Sequence, residues 1–166
     1  MKKLDIALSI VCLFAFVYTS VWVHVFLRSR AEATRGEQLV ASIPTHYRSY
    51  AKLLPRQKAG VLSEAEKKAF EQVRYDYYQS VVKAITAFDN CLHSYTPFNK
   101  YLPVAADALM RIGDDCLNKN EFSLALSAYR TIRISPDPSW VSSAEKKIKD
   151  TYAKMERLKA RDEKAK

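Results

Sequence analysis

The first long hydrophobic segment of the chain differs in pattern from everything that follows it. Residues Ile6 to Leu27 are 22 consecutive positions without an acidic side chain, a lysine or an arginine. A helix rises about 1.5 Å per residue, so this segment would extend roughly 33 Å, enough to cross the hydrocarbon core of a bilayer. Lys2 and Lys3 precede it and Arg28 follows it, as is usual for a membrane-spanning helix. The pattern therefore predicts a single transmembrane helix over residues 1–28.

Whether this helix is retained or cleaved is a separate question. The triplet Ser29-Arg30-Ala31 has small residues at both ends, as a signal peptidase requires. The apolar segment, however, is longer than the about 7–15 residues of a signal-peptide apolar region. We therefore expect a retained signal anchor in the inner (cytoplasmic) membrane. Basic residues nearly balance on the two sides, and the leading Lys2-Lys3 pair, typical of bacterial anchors, favours a periplasmic or extracytoplasmic body.

After the membrane segment, helical spacing continues but is interrupted by prolines. Pro44 and Pro55 are expected to break the helix, because proline lacks a backbone N–H and its ring clashes with the preceding turn. The polar stretch from Arg56 to Gly60 is typical of a solvated link. Residues 29–62 are therefore expected to form a juxtamembrane helical spacer.

Residues 63–160 carry a longer and more regular helical pattern. Ser63 followed by Glu66 fits a capping box, in which each side chain accepts a hydrogen bond from the other residue's backbone N–H. Apolar residues then recur every three or four positions over about six turns, which predicts one long helix. The members of this apolar face are Phe70, Val73, Tyr77, Val81, Ile85, Phe88 and Leu92.

Three further helices complete the predicted body. We expect them at about Val104 to Leu117, at Glu121 to about Ile134 and at Ser139 to about Ala160. Asp137 is suited to cap the last helix, with Pro138 as its first residue.

The use of glycine and proline limits the fold class. Three glycines and six prolines are too few for the many tight turns of a β-sandwich. We therefore expect an all-α protein, with the N-terminal transmembrane helix followed by a helical body. Residues 161–166 are expected to form a frayed basic tail.

The segment from Ala105 to Pro138 resembles one tetratricopeptide repeat, a 34-residue pair of helices. Gly113 and Ala125 are the small residues that let the two helices approach closely, and larger residues flank them. The resemblance therefore implies a tetratricopeptide-like helical domain at residues 63–160, with this hairpin as its repeat. The residues that it assigns to repeat packing are Leu109, Ile112, Gly113, Phe122, Ala125 and Tyr129.

The segment departs from the repeat pattern at three points, one of which is the closing proline, one residue early or late at Pro136 or Pro138. Cys116 stands where an aromatic residue is usual, and Ile132 stands where a small residue is usual. An unrelated helical hairpin is the alternative.

Through Gly113-Asp114 and the basic helix at Ala144 to Ile148, residues 105–149 also resemble, more loosely, repeats of bacterial envelope-assembly proteins, which implies periplasmic scaffolding. Because one repeat cannot bury both its faces, the helices before and after it are expected to flank it.

The residues that carry chemistry are scattered. The chain has no Cys-x-x-Cys, His-Glu-x-x-His, Gly-x-Ser-x-Gly or phosphate-loop motif. The adjacent Asp114 and Asp115 would project about 100° apart on a helix and are poorly placed to share a proton. We therefore expect no enzyme activity, no cofactor and no metal site. Cys91 and Cys116 could bridge in an oxidising compartment, but the expected hairpin separates them, which favours two buried free thiols.

The net charge of +9 does not by itself indicate nucleic-acid binding. The basic residues of the last helix alternate with acidic ones, which is typical of a solvated helix face. We expect no nucleic acid as partner, although the basic excess there would suit anionic lipid.

Tyr75 and Tyr78 lie off the apolar stripe of the first body helix and are expected to face a protein partner. The sequence thus favours a membrane-anchored scaffold or adaptor, or an accessory subunit, that mediates protein–protein interaction in a membrane complex. The alternative is a small structural subunit of a large energy-transducing or secretion complex, held mainly through its transmembrane helix.

Overall fold

The computed structural model describes residues 2–94 and 99–164, and this part of the chain is all-helical, as expected. It contains five α-helices and no strand over those two ranges. The helices are α1 (Lys2–Lys58), α2 (Glu64–His93), α3 (Tyr101–Asn118), α4 (Phe122–Ile132) and α5 (Pro138–Lys164).

α1 contains the predicted membrane segment. It is long and apolar enough to cross a membrane, and its most apolar stretch has no residue buried within the protein. Large apolar side chains are strongly exposed there; Phe14 is 70 % and Phe16 is 72 % exposed. A core helix of a water-soluble protein would bury such residues, so this exposure fits contact with lipid.

The breaks expected at Pro44 and Pro55 are absent, because α1 is one helix of 57 residues. A proline inside a helix costs about 3 kcal/mol through the lost hydrogen bond and the steric clash. Burial of the neighbouring Ile43 and Tyr50 against the rest of the protein offsets this cost. One face of residues 29–62, the segment expected to be a spacer, therefore packs in the core through Ala33, Ile43 and Tyr50, while most of the other residues of this segment are exposed.

α1 and α2 run antiparallel along one another. Ser29 near the membrane end of α1 contacts Cys91 near the end of α2, while Tyr50 packs on Phe70. The two helices approach closely at Gly36, where an added Cβ would lie 2.6 Å from the ring of Phe88.

Local signals at the helix ends are confirmed. The Ser63 hydroxyl accepts a hydrogen bond from the Glu66 N–H, and the Glu66 carboxylate accepts one from the Ser63 N–H, which completes the capping box. Asp137 accepts a hydrogen bond from the Ser139 N–H at 2.9 Å, and Pro138 is the first residue of α5. α1 ends through Gly60, whose φ of +69° is a left-handed conformation that glycine adopts without strain.

The helices α3, α4 and α5 complete the body. α3 and α4 form a hairpin, and α5 packs mainly on α4 and also on α3, burying Ala144 and Thr151. α5 remains helical to Lys164, so the described part of the expected frayed tail is ordered as helix. Its last residues, 165–166, lie outside the described residues.

Candidate interaction surfaces

The α3–α4 hairpin brings most of the residues assigned to repeat packing together in the core. Gly113 is buried, and Phe122 is half-buried at the start of α4. The other four, with exposed fractions of 0–5 %, are Leu109, Ile112, Ala125 and Tyr129. This arrangement suits two closely crossing helices, which a tetratricopeptide repeat and other helical hairpins share.

Gly113 faces the ring of Tyr129. A Cβ at residue 113 would lie 2.3 Å from that ring, closer than any real contact, so glycine is required for this crossing. The Tyr129 hydroxyl donates a hydrogen bond to Asp114 at 2.6 Å, and Lys147 of α5 donates to the same carboxylate oxygen at 2.6 Å. Burial, reinforced by the Asp114 carboxylate, raises the pKa of Tyr129. The hydrogen-bonded side chains of Asp114, Tyr129 and Lys147 thus join α3, α4 and α5.

The two tyrosines expected at an interface have different environments. Tyr75 is 59 % exposed on α2. Tyr78 is half-buried, and its hydroxyl donates a hydrogen bond to Glu121, the residue before α4. Burial and this hydrogen bond raise the pKa of Tyr78. Tyr78 therefore joins α2 to α4 and contributes to the fold, whereas Tyr75 is available to a partner.

An aromatic cluster that the sequence analysis missed joins α1 to α2. Tyr47 and Tyr50 of α1 pack against Tyr77 of α2 with ring centroids 5.3 and 5.4 Å apart. The Lys119 ammonium at the end of α3 lies 3.9 Å from the centre of the Tyr47 ring, a cation–π contact. The signal was present in the sequence, since Leu39, Ile43, Tyr47, Tyr50 and Leu54 recur at helical spacing.

An apolar groove of about 610 Å³ lies between α1 and α3, with α2 beneath it. Val40, Ile43 and Ile112 are among its apolar lining residues. Charged side chains also line it: Glu37, Arg48, Arg111, Asp115 and Lys119.

Both cysteines of the body are free and buried, as favoured from the sequence. Burial, with a smaller contribution from the Asp115 carboxylate, raises the pKa of Cys116 to about 12. Burial also raises the pKa of Cys91. Both thiols are therefore protonated at neutral pH, which makes them poor nucleophiles.

A buried polar cluster lies where α1 leaves its apolar segment. The Ser29 hydroxyl lies 3.3 Å from the Cys91 sulfur and accepts a hydrogen bond from the Asn99 side-chain amide at 2.9 Å. That amide also donates to the Ser94 carbonyl, and its oxygen accepts from the Tyr101 N–H at 3.0 Å. The cluster joins α1 to the end of α2 and the start of α3.

Next to this cluster, aromatic rings continue from the apolar segment to the body. Trp22 stacks on Phe26, and the Phe26 ring lies 5.4 Å from that of Tyr101. The Lys100 ammonium lies 5.5 Å from the centre of the Tyr101 ring.

Over the described ranges, no three His, Cys, Asp or Glu side chains are grouped to hold a metal ion. The ion pairs of this part of the chain join helices or neighbouring turns; one example is Arg56 with Glu66 at 2.6 Å.

Throughout the residues that the structure describes, the chain is all-helical, and one of its helices there is long and apolar enough to span a membrane. The chain matches no protein-family model, and no curated protein or solved structure shows significant similarity to it.

Proposed function

We propose that this chain is a membrane-anchored scaffold or adaptor, an accessory subunit that mediates protein–protein interaction in a membrane complex. The observation that carries the proposal is the double role of α1. Its first half exposes an apolar surface suited to lipid, and its second half packs along α2 as part of the core. One continuous helix thus joins the anchor to the body, which would hold a binding surface at a fixed distance from the membrane.

The anchor is proposed to be retained in the inner (cytoplasmic) membrane with the body on the extracytoplasmic side. The buried position of Ser29 supports retention, since cleavage after Ala31 would remove a side chain that contacts both Cys91 and Asn99. The Lys2-Lys3 pair before the apolar segment supports the orientation.

The body is proposed to act by binding rather than by catalysis, through a tetratricopeptide-like hairpin flanked by α2 and α5. Close crossing at Gly113 and burial of Ala125 support the repeat-like packing. The exposed ring of Tyr75 and the groove between α1 and α3 are the surfaces best suited to a protein partner.

The test uses the full chain with an affinity tag, crosslinked in its native membrane, with captured proteins identified by mass spectrometry. Tyr75→Ser should release the partner, because an aromatic anchor at an interface is worth about 2 kcal/mol or more, roughly 30-fold in affinity. Tyr152→Ser is the control at an exposed tyrosine of α5 (41 % exposed), and circular dichroism checks its folding because the Tyr152 hydroxyl accepts a hydrogen bond from Arg130 of α4. A folded Tyr75→Ser chain that keeps every partner would contradict this interface.

The alternative, a structural subunit held mainly through its membrane helix, is favoured by the exposure of the apolar half of α1. Replacing the exposed apolar residues between Ile6 and Leu27 by leucine would keep the anchor but remove any specific helix–helix packing. If that chain loses its partners while Tyr75→Ser keeps them, the membrane helix is the interface.

A further inference from the structure

The membrane-proximal end of the body, defined here as Phe26, Arg28, Arg30, Lys100 and Tyr101, is aligned with the end of the apolar segment. Phe26 is the second-last residue of that segment and is in ring contact with Tyr101. At about 1.5 Å of rise per residue, Phe26 lies within a few ångströms of the point where the apolar segment ends. Tyr101 is therefore held at the depth of the bilayer interface if α1 spans the membrane.

The polar cluster beneath this end fixes its position. Asn99 is 5 % exposed, and its side chain bonds Ser29 of α1, the Ser94 carbonyl and the Tyr101 N–H. Asn99 and Tyr101 cannot move away from α1 without leaving buried polar groups unpaired, which costs about 1–3 kcal/mol each.

The charges at this end are of one sign where they are exposed. Arg28, Arg30 and Lys100 are exposed, and none forms an ion pair with another described residue. The nearby acidic residue Glu32 is half-buried and lies 3.9 Å from Arg35. An aromatic ring at the interface beside exposed cations is the arrangement that membrane proteins use toward lipid headgroups.

We infer that the membrane-proximal end is a binding site for the headgroup of an anionic phospholipid. The Lys100 ammonium contacts the phosphate, and Arg28 and Arg30, which project from α1 on either side of the buried Ser29, add positive charge around it, while Tyr101 and Phe26 lie against the glycerol and upper acyl region. The inference rests on the proposed function, since it requires α1 to cross the bilayer. It differs from lipid contact through α5, whose cations alternate with acidic side chains.

The test places a single tryptophan in the full chain in vesicles of phosphatidylcholine and phosphatidylglycerol. Trp22→Phe and Trp140→Phe remove both native tryptophans. Tyr101→Trp then reports the site, Tyr18→Trp reports the membrane span, and Tyr75→Trp is the control, about 27 Å from the membrane end of α2 at the usual helical rise. Quenching by brominated phosphatidylglycerol is compared with quenching by brominated phosphatidylcholine, and circular dichroism checks folding.

We expect both lipids to quench Trp at position 18, neither to quench it at position 75, and phosphatidylglycerol to quench it preferentially at position 101. Lys100→Gln should lower the relative association of phosphatidylglycerol about fivefold, the effect of one surface cation on anionic lipid. Lys68→Gln, at an exposed lysine near the far end of α2, should leave it unchanged. If Tyr101→Trp does not fold, Phe26→Trp takes its place.

Three results would overturn the inference. Quenching at position 18 without quenching at position 101 would leave the anchor intact and exclude the headgroup site. Equal quenching by the two lipids at position 101, unaffected by Lys100→Gln, would reduce the site to a nonspecific bilayer contact. Quenching at neither position would instead show that α1 does not span the bilayer, so the proposed function itself would fail.

Discussion

Two glycines occupy points where helices cross, and each faces an aromatic ring. Gly36 of α1 lies against Phe88 of α2, and Gly113 of α3 lies against Tyr129 of α4. In a helix interior glycine costs about 1 kcal/mol relative to alanine, so its use at these positions requires a compensating gain. That gain is the close packing of a ring that is fully buried, since Phe88 and Tyr129 have exposed fractions of 0 %.

The first prediction is that Gly113→Ala destabilises the protein. The added methyl group would overlap the Tyr129 ring, and overpacking of this kind costs about 1–3 kcal/mol, more than the gain of about 1 kcal/mol in helix propensity. Chemical unfolding of the full chain in detergent, followed by circular dichroism, measures the free energy of unfolding.

A double-mutant cycle tests the cause of that destabilisation. With Tyr129→Leu, which removes the ring, Gly113→Ala should cost less than it does in the wild-type background, because neighbouring substitutions of this kind are not additive. A neutral or stabilising Gly113→Ala would contradict the close crossing of α3 and α4.

At the scale of the helices, the sequence predicted those features that depend on neighbouring residues. The capping box at Ser63, the cap at Asp137 and the amphipathic face of α2 are all local, and all were predicted. The sequence did not predict that α1 continues through Pro44, because the apolar surface that makes this continuity favourable belongs to α2, far away in sequence. For the same reason the sequence does not reveal the hydrogen bond from the Tyr78 hydroxyl to Glu121, since the two residues are 43 positions apart.

The second prediction is that Pro44→Ala stabilises the protein. Pro44 lies inside α1 and is exposed at the groove, so its ring adds little packing, while alanine would restore a backbone hydrogen bond. Alanine is about 3 kcal/mol better than proline in a helix interior, and the greater freedom of the unfolded chain returns about 1 kcal/mol of this. We expect a gain of roughly 1–2 kcal/mol in unfolding experiments.

Thr45→Ala, at the exposed neighbouring position, is the control for a simple effect of helix propensity and should change the stability by less than about 0.5 kcal/mol. A loss of stability in Pro44→Ala would mean that the proline ring itself supports the groove.

For the whole molecule, the apolar N-terminal half of α1 is joined to the body without interruption, because the second half of the same helix is packed in the body. α1 contributes to the core through Ile43 and Tyr50, and its polar contacts at Ser29 fix the start of α3. The body therefore contains buried ionisable groups where helices pack together, among them Tyr77 and Cys91 of α2, Cys116 of α3 and Tyr129 of α4. Their burial links the stability of the whole chain to pH.

The last prediction concerns alkaline pH. Burial raises the pKa of Cys91 and raises that of Cys116 to about 12, and it raises the pKa of Tyr129 as well. Above about pH 8.5, the ordinary thiol value, the unfolded chain loses protons that the folded chain keeps. The stability that these groups contribute is thus fully present below that pH, and the free energy of unfolding should fall as pH rises further.

At acidic pH the free energy of unfolding changes with pH in the opposite direction. Hydrogen bonds from the capped helix ends hold the pKa of Glu66 and of Asp137 below the usual carboxyl range. Their contribution is present above about pH 4.5, and it is lost as pH falls through the lowered values.

The free energy of unfolding of the full chain, measured in nonionic detergent with a reductant from about pH 3 to pH 11, tests both the acidic and the alkaline part of this pH dependence. The ordinary pKa values of carboxyl and thiol groups mark where each part should begin. Cys116→Ala should shift the whole curve down by a constant amount, because it leaves a small cavity, and should also make the alkaline part shallower by up to about 1.4 kcal/mol per pH unit, the effect of one proton. Ser143→Ala, at an exposed serine of α5, should leave the slope unchanged. A wild-type free energy of unfolding that stays constant or rises above about pH 9 would contradict the buried, protonated state of the thiols, since ionisation of the unfolded chain alone must lower it.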